Sequence, residues 1–264
     1  MRWEHLTYPD FEKAIDACDG VGIIPMGVIE PHGAHLPLGT DTLAAHTIAS
    51  QAAEQEPAIV FPQYPWGINH EGAHLPGSIV VQRDLVLQLL QNVCDEMARH
   101  GCKKIVITSG HGGNRYLIPL FVQTLVERDV DYLVYAANPV SSNAWVDLME
   151  TDERGHACEY ETSLMLALEP EHVKMADIPE PFTSNRGNAE LKKVGAYSPM
   201  DWYAMYPNMY VGDASKATAE KGKAILEAEI DGLVTLLRAV KQDTITPALN
   251  ETFRKGANSP SSPY

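Results

Sequence analysis

Four short stretches of this chain gather residue types that hold cations or move protons. The first is Glu30-Pro31-His32-Gly33-Ala34-His35-Leu36-Pro37-Leu38-Gly39-Thr40-Asp41. Carboxylate oxygen and imidazole nitrogen are donors that suit Zn²⁺, Mn²⁺ or Fe²⁺. In extended backbone Glu30 and His32 project to the same side, and Asp41 then opens a helix whose dipole favours a carboxylate. A polar loop capped at Asp41 is the competing reading. The second stretch is Ser109-Gly110-His111-Gly112-Gly113-Asn114, whose glycines let backbone approach a ligand closely. Its competitor is a glycine-rich turn with Asn114 as the cap. Neither G-x-x-x-x-G-K-[ST] nor G-x-G-x-x-G is present, which argues against a phosphate cradle.

The third stretch runs from Gly155 to Ser163 and into Leu164-Met165-Leu166. It reads as a helix preceded by His156, with Glu161 in its first turns. His156 fits proton transfer and Glu161 fits metal ligation, although a carboxylate there can equally be a cap. Cys158 reads as a packing residue. The fourth, Gly67 to Ser78, holds His70, Glu71 and His74 in a Gly/Pro loop. His5, His46, His100 and His172 read as structural or surface residues.

Elements must position these groups. Val21-Gly22-Ile23-Ile24-Pro25, Ala58-Ile59-Val60-Phe61, Lys104-Ile105-Val106-Ile107-Thr108 and Tyr132-Leu133-Val134-Tyr135 read as buried strands. Helices are expected over Thr42–Gln55, Asp84–His100, Asn114–Arg128 and Ser215–Lys241. Such alternation implies right-handed βαβ units and a mainly parallel sheet. Ligands then sit beyond the C-terminal strand ends, which points to the loops after Ile24 and after Thr108. The segment Pro179–Gly212 is too long for a bare connector and reads as a flap or an oligomer contact. Gly256–Tyr264 reads as a low-complexity, disordered tail.

The chain has 264 residues, 45% hydrophobic and 21% charged, which suits one large α/β domain and excludes wholesale disorder. Residues 1–241 are expected to form that domain and 242–264 an extension. Twenty Lys+Arg against 35 Asp+Glu give a net charge of −15, which argues against nucleic acid and anionic membrane partners. No apolar run reaches about 18 residues. The start of the chain lacks a secretory signal, and the cysteines, Cys18, Cys94, Cys102 and Cys158, do not form a disulfide pattern. A cytoplasmic protein is expected.

Taken in order, the stretches resemble the creatininase family of creatinine amidohydrolases. The resemblance is carried by Glu30-Pro31-His32-Gly33, Leu36-Pro37-Leu38-Gly39-Thr40-Asp41-Thr42 and His74-Leu75-Pro76-Gly77-Ser78. It continues through Gly110-His111-Gly112-Gly113-Asn114, His156 to Ser163, and Gly212 to Gly222. It implies a three-layer α/β/α fold with a mainly parallel central sheet. It also implies two divalent ions per chain and hydrolysis of a C–N bond in a small cyclic amide or formamide by a metal-bridging hydroxide. Assembly into a homo-oligomer, a hexamer by analogy, belongs to the same resemblance.

Carried over by position, Glu30, His32, Asp41 and His111 resemble metal ligands, with Asp41 bridging. Glu161 resembles a further ligand and His156 the proton-transfer residue. His74, Ser78 and the backbone of Gly112 and Gly113 are expected to position the substrate. Creatinine-cleaving members carry tyrosine and glutamate where this chain has Gly112 and Gly113, and tryptophan where it has Asp152. The Gly-Gly version resembles the deformylase-type and peptide-processing branches more. Lactone or short-peptide hydrolysis on the same centre is an alternative, as is a non-catalytic binding protein.

Overall fold

A computed structural model of the chain describes residues 1–137, 143–152, 155–180 and 189–260. After helix α1 (Tyr8–Ala17), strand β1 (Val21–Met26) enters the core with every residue buried. A parallel strand covered on both faces must be apolar throughout, and Val-Gly-Ile-Ile-Pro-Met meets that demand. Helix α2 (Thr40–Gln55), β2 (Ile59–Val60), α3 (Arg83–Arg99), β3 (Lys104–Ser109), α4 (Leu117–Thr124) and β4 (Leu133–Ala136) follow. The sheet is parallel with strand order β2-β1-β3-β4. β1 and β3 pair from Val21 opposite Lys104 to Met26 opposite Ser109.

Alternation along these strands builds two cores and so three layers. Ile24, Met26, Ile105 and Ile107 face one way and pack with Val86, Leu90 and Met97 of α3 and Phe121 of α4. Val21, Ile23 and Val106 face the other way, against Ala49, Ala52 and Ala53 of α2. Helix α8 (Ala219–Gln242) completes that layer through Ile230, Leu233, Val234 and Leu237. Ile107→Ala would cost about 2–5 kcal/mol, the usual range for an aliphatic core residue cut to alanine. Lys104 at the start of β3 gives its ammonium to the carbonyls of Val240, Lys241 and Asp243 at 2.7–3.0 Å, closing the C-terminal end of α8 against the sheet.

Three expectations need correction. Residues 114–128 do not form one helix: a 3₁₀ turn (Gly112–Arg115) precedes α4, and another (Leu125–Glu127) follows it. Pro119 has no N–H and its ring would strike the carbonyl four residues back, so the helix can only start within a turn of it. The last long helix starts at Ala219 rather than near Ser215, because extended Thr218 accepts the Lys221 N–H on its side-chain oxygen. The tail is helical through Asn258: α9 (Ile245–Asn258) follows Asp243, whose carboxylate accepts the N–H groups of Ile245 and Thr246. Residues 261–264 of that expected tail lie outside the described residues.

Helix α5 (Glu159–Leu168) packs on α8. The expected flap segment holds α6 (Ala189–Lys193) and α7 (Asp201–Met205), and its residues 181–188 lie outside the described residues. Among the described residues no helix is long and apolar enough to cross a membrane.

Candidate metal centre

The order β2-β1-β3-β4 puts a topological switch between β1 and β3, and the loops leaving these two strands diverge to opposite layers there. The loop after β1 carries Glu30 and His32 and delivers Asp41 into the first turn of α2. The loop after β3 delivers His111. The turn before α5 delivers His156, and the first turns of α5 deliver Glu161. All six converge in three overlapping groups: Glu30 with His32 and His156, Glu30 with Asp41 and His111, and His32 with Asp41 and Glu161. Within each group the donor atoms lie within 4.8 Å of one another.

Asp41 sits at the middle. One of its oxygens is 3.0 Å from His32 Nε2 and the other 3.0 Å from His111 Nδ1. Glu30 Oε1 is also 3.0 Å from His111 Nδ1. The far nitrogens of both imidazoles are committed to carbonyls. His32 gives Nδ1–H to the Glu30 carbonyl at 3.1 Å, and His111 gives Nε2–H to the Ile68 carbonyl at 2.9 Å. A carbonyl only accepts, so these bonds fix the tautomer of the neutral rings. The nitrogens facing the carboxylates then present lone pairs to other lone pairs, which requires a positive charge between them.

A proton can supply that charge. Burial alone would hold His32 low, but the Asp41 carboxylate, its hydrogen bond and the charges of Glu161 and Glu30 push it up to about 10. Burial opposes His111 as well, and the Asp41 and Glu30 carboxylates beside its Nδ1 raise it well above the usual imidazole range. Burial would lift Asp41, yet the two imidazoles hold it far below the usual carboxylate range. A divalent cation can equally supply the charge. Both oxygens of Glu30 and Oδ2 of Asp41 are buried without a hydrogen-bond partner. Such orphaned acceptors are costly, and oxygen and nitrogen donors of this mix suit Zn²⁺, Mn²⁺ or Fe²⁺. The residues present therefore fit a metal.

The surroundings hold these groups in place. Glycine is needed at 113, because a Cβ there would overlap the His111 imidazole, and at 110, where it would overlap the Asp41 carbonyl oxygen. Asn114 is buried but does not cap a helix: its Oδ1 accepts the Ile68 N–H at 3.2 Å, which steadies the residue whose carbonyl orients His111. Ala157 has φ +55°, an unfavourable backbone for a side-chain-bearing residue. Its N–H donates a short hydrogen bond to Glu161, and its neighbour His156 pairs with Val211 as an isolated antiparallel bridge. His156 gives Nε2–H to the Pro31 carbonyl at 2.8 Å and lies 3.8 Å from Glu30 Oε1. Its ring lies tilted against His32 at 4.1 Å and near-perpendicular to Trp202 of α7 at 5.9 Å.

Not every expected residue joins the cluster. Gly112 lines the adjoining cavity with its Cα open to space, whereas Gly113 backs His111. His74 is exposed, tied to the carbonyls of Pro207 at 2.7 Å and Glu71 at 3.1 Å, and Ser78 accepts from Asn69 at 3.3 Å. Neither lines that cavity. His35, in the first motif, stands apart: burial and the His32 charge push it down to about 4, and its Nε2 pairs with the Thr162 hydroxyl at 2.9 Å. Sequence reasoning missed Asn114 as a positioning residue, Trp202, and the Trp145, Tyr160 and Glu229 wall of the cavity. A carboxylate on the otherwise apolar stripe of α8 was the legible signal for the last.

The family model Creatininase, described as creatinine amidohydrolase, matches residues 4–237. The chain is 25% identical over 257 residues to the creatinine amidohydrolase of Pseudomonas putida, covering 88% of this chain and 94% of that one. It is 28% identical over 264 residues to the 3-dehydro-scyllo-inosose hydrolase of Thermotoga maritima, covering 91% and 83%. A solved creatinine amidohydrolase shares the fold at a TM-score of 0.74 and 24% identity, over 92% of this chain and 98% of that one. A structure described as creatininase Mn matches at 0.73 and 25%, over 92% and 99%.

Proposed function

This chain belongs to the creatininase family, and from that premise we propose that it is a metal-dependent amidohydrolase cleaving a C–N bond in a small cyclic amide or formamide. Glu30, His32, Asp41, His111 and Glu161 would hold two divalent ions. Such ions lower the pKa of water and polarise a carbonyl. The observation that carries the reading is the matched pair of imidazoles. Each has one N–H fixed to a backbone carbonyl and the other nitrogen turned on a buried carboxylate, the arrangement by which outer-shell bonds orient metal-binding histidines.

His156 takes a different role in this reading. Its Nε2 is engaged by Pro31 and stands 3.8 Å from Glu30, farther than the other two rings stand from their carboxylates. With Nε2 carrying its hydrogen, Nδ1 is free to take up a proton and return it to the departing nitrogen, without which an amine leaves poorly. Backbone N–H groups at Gly112 and Gly113 offer donors to the oxygen that gains charge. Trp202 stands against the His156 ring, 5.9 Å away. His74 and Ser78 would act through the loop they brace. A small-molecule substrate, self-association into a homo-oligomer and a cytoplasmic setting belong to the same proposal, the last supported by four free, buried cysteines.

Elemental analysis of the purified protein, joined to turnover of lactams, formamides, lactones and short peptides, tests this. About two divalent ions per chain with amide turnover is the expected result. Lactone or peptide turnover alone would move the assignment to that bond. No bound ion after reconstitution with Zn²⁺, Mn²⁺ and Fe²⁺ would overturn the reading.

A further inference from the structure

A cavity of about 350 Å³ adjoins the cluster, with Asp41, His111 and Glu161 in its wall. That volume suits a small ligand. Much of the wall is apolar, including Ile48, Leu164 and Leu233. One charged group stands out against it. Glu229, Leu233 and Leu236 line the cavity from one face of α8, spaced as neighbours on a helix surface. Glu220, Glu227 and Asp231 of the same helix are exposed, but Glu229 is half-buried.

Glu229 is held by neutral groups. Tyr160 gives its hydroxyl hydrogen to Glu229 Oε1 at 2.9 Å, and the neighbouring Trp145 indole also favours the charged carboxyl. Among the described residues no lysine or arginine forms an ion pair with it. Arg115 also borders the cavity, but its guanidinium bonds the Gly112 carbonyl at 2.9 Å and lies over the Tyr116 ring at 4.6 Å. Burial raises the Glu229 carboxyl above its usual range, against the opposing influence of Tyr160 and Trp145. A cationic partner would relieve that cost, because charge-assisted bonds are the strong ones. Tyr160 and Glu161 are consecutive on α5 and point about 100° apart at 3.6 residues per turn. One helical turn thus presents one side chain to Glu229 and the next to the metal cluster.

We propose that Glu229 determines specificity, receiving a protonated amine on the substrate while the scissile amide meets the cluster across the apolar wall. The substrate class is then a small amide with an ammonium group a short aliphatic span from the C–N bond. This rests on the hydrolase reading above, and the test separates the two.

Two probes of equal size differ only in the head group: N-(2-aminoethyl)formamide, cationic at neutral pH, and N-propylformamide. Each is offered to metal-loaded wild type and to Glu229→Gln. The readout is the preference between probes, as a ratio of kcat/KM where they turn over and of Kd by calorimetry where they do not. Wild type should prefer the aminoethyl probe by about 10- to 100-fold, the range for a hydrogen bond to a charged group. Glu229→Gln should collapse that preference to within about threefold. No preference in wild type, a preference that survives Glu229→Gln, or no interaction with either probe would overturn the proposal. The wild-type ratio alone can refute it, so a poorly folded variant does not rescue it. A preference lost in the variant but seen only in binding, with no amide hydrolysed, would keep the Glu229 assignment and sink the hydrolase reading.

Discussion

Stripping divalent cations from the protein should lower its thermal stability by an amount set by the buried carboxylates. Three oxygens, both of Glu30 and Oδ2 of Asp41, are buried without a hydrogen-bond partner. An unsatisfied buried acceptor costs about 1–3 kcal/mol, which puts about 3–9 kcal/mol at stake. In the cation-free protein a protonated His111, 3.0 Å from an oxygen of each carboxylate, offsets part of this. The lower half of the range is therefore expected. A cation at a thousand times its Kd stabilises by about 4.1 kcal/mol, inside that bracket. At about 2–4 °C per kcal/mol for a chain near this size, reloading should raise Tm by about 8–16 °C. The assay is a melting series on chelator-treated protein titrated with Zn²⁺ or Mn²⁺, with bound metal measured on the same samples. Asp41→Asn, which keeps the side chain's size and removes its charge, should lose most of the shift. A fully loaded protein whose Tm moves less than about 2 °C, or a full shift in Asp41→Asn, would refute the reasoning.

Three further outcomes are expected. Gly113→Ala should weaken metal affinity by about 10- to 100-fold, as displaced outer-shell groups do, because its methyl would force the His111 ring aside; competition against a chelating dye measures this, and unchanged affinity would show that the ring has room to move. His156→Ala should keep the metal content but cut kcat by about 10²–10⁴, and an unaltered kcat would remove it from proton transfer. Glu159 is buried; burial alone would raise its carboxyl, but Lys221, Thr151 and the N–H groups of Glu150 and Thr151 hold it at about 2, below its ordinary 4.5. Its stabilisation is thus complete above pH 4.5 and is lost as pH falls toward 2, so urea unfolding should find Glu159→Gln less stable than wild type at pH 7, with the gap closing by about pH 2; a gap independent of pH would exclude the ionised carboxylate as its source.

The strands and the site loops were legible in the sequence for physical reasons. Val21 to Pro25 and Lys104 to Thr108 are too apolar to be anything but covered strands, and a parallel sheet places chemistry at their C-terminal ends. Residue types then picked out Glu30, His32, Asp41, His111, His156 and Glu161, which the fold gathers into one cluster. Less legible were groups whose role depends on partners distant in the chain. Asn114 looks like a cap until Ile68 is seen beside it. Glu229 is one acidic residue among several until α8 turns it inward toward Tyr160. The family resemblance marked His74 and Ser78, but their bonds run to Pro207 and Asn69, and neither lines the cavity. The expected helix over Asn114–Arg128 followed the apolar periodicity and passed over Pro119, which sits in the first turn of α4 and fixes where that helix can start.

The pairing of Met26 with Ser109 at the end of β1 and β3 has a consequence for how the chain is proofread. Glu30 and Asp41 are fixed to one strand and His111 to the other, so their meeting depends on register. A slip of one residue would move His111 by about 3.3 Å along the sheet and reverse the faces of β3. That displacement exceeds the tolerance of any ligand sphere. No nascent chain that ends before β3 can capture an ion with this donor set. Cation uptake would thus mark completion of long-range assembly, and its binding energy would fall only to chains whose two central strands are aligned.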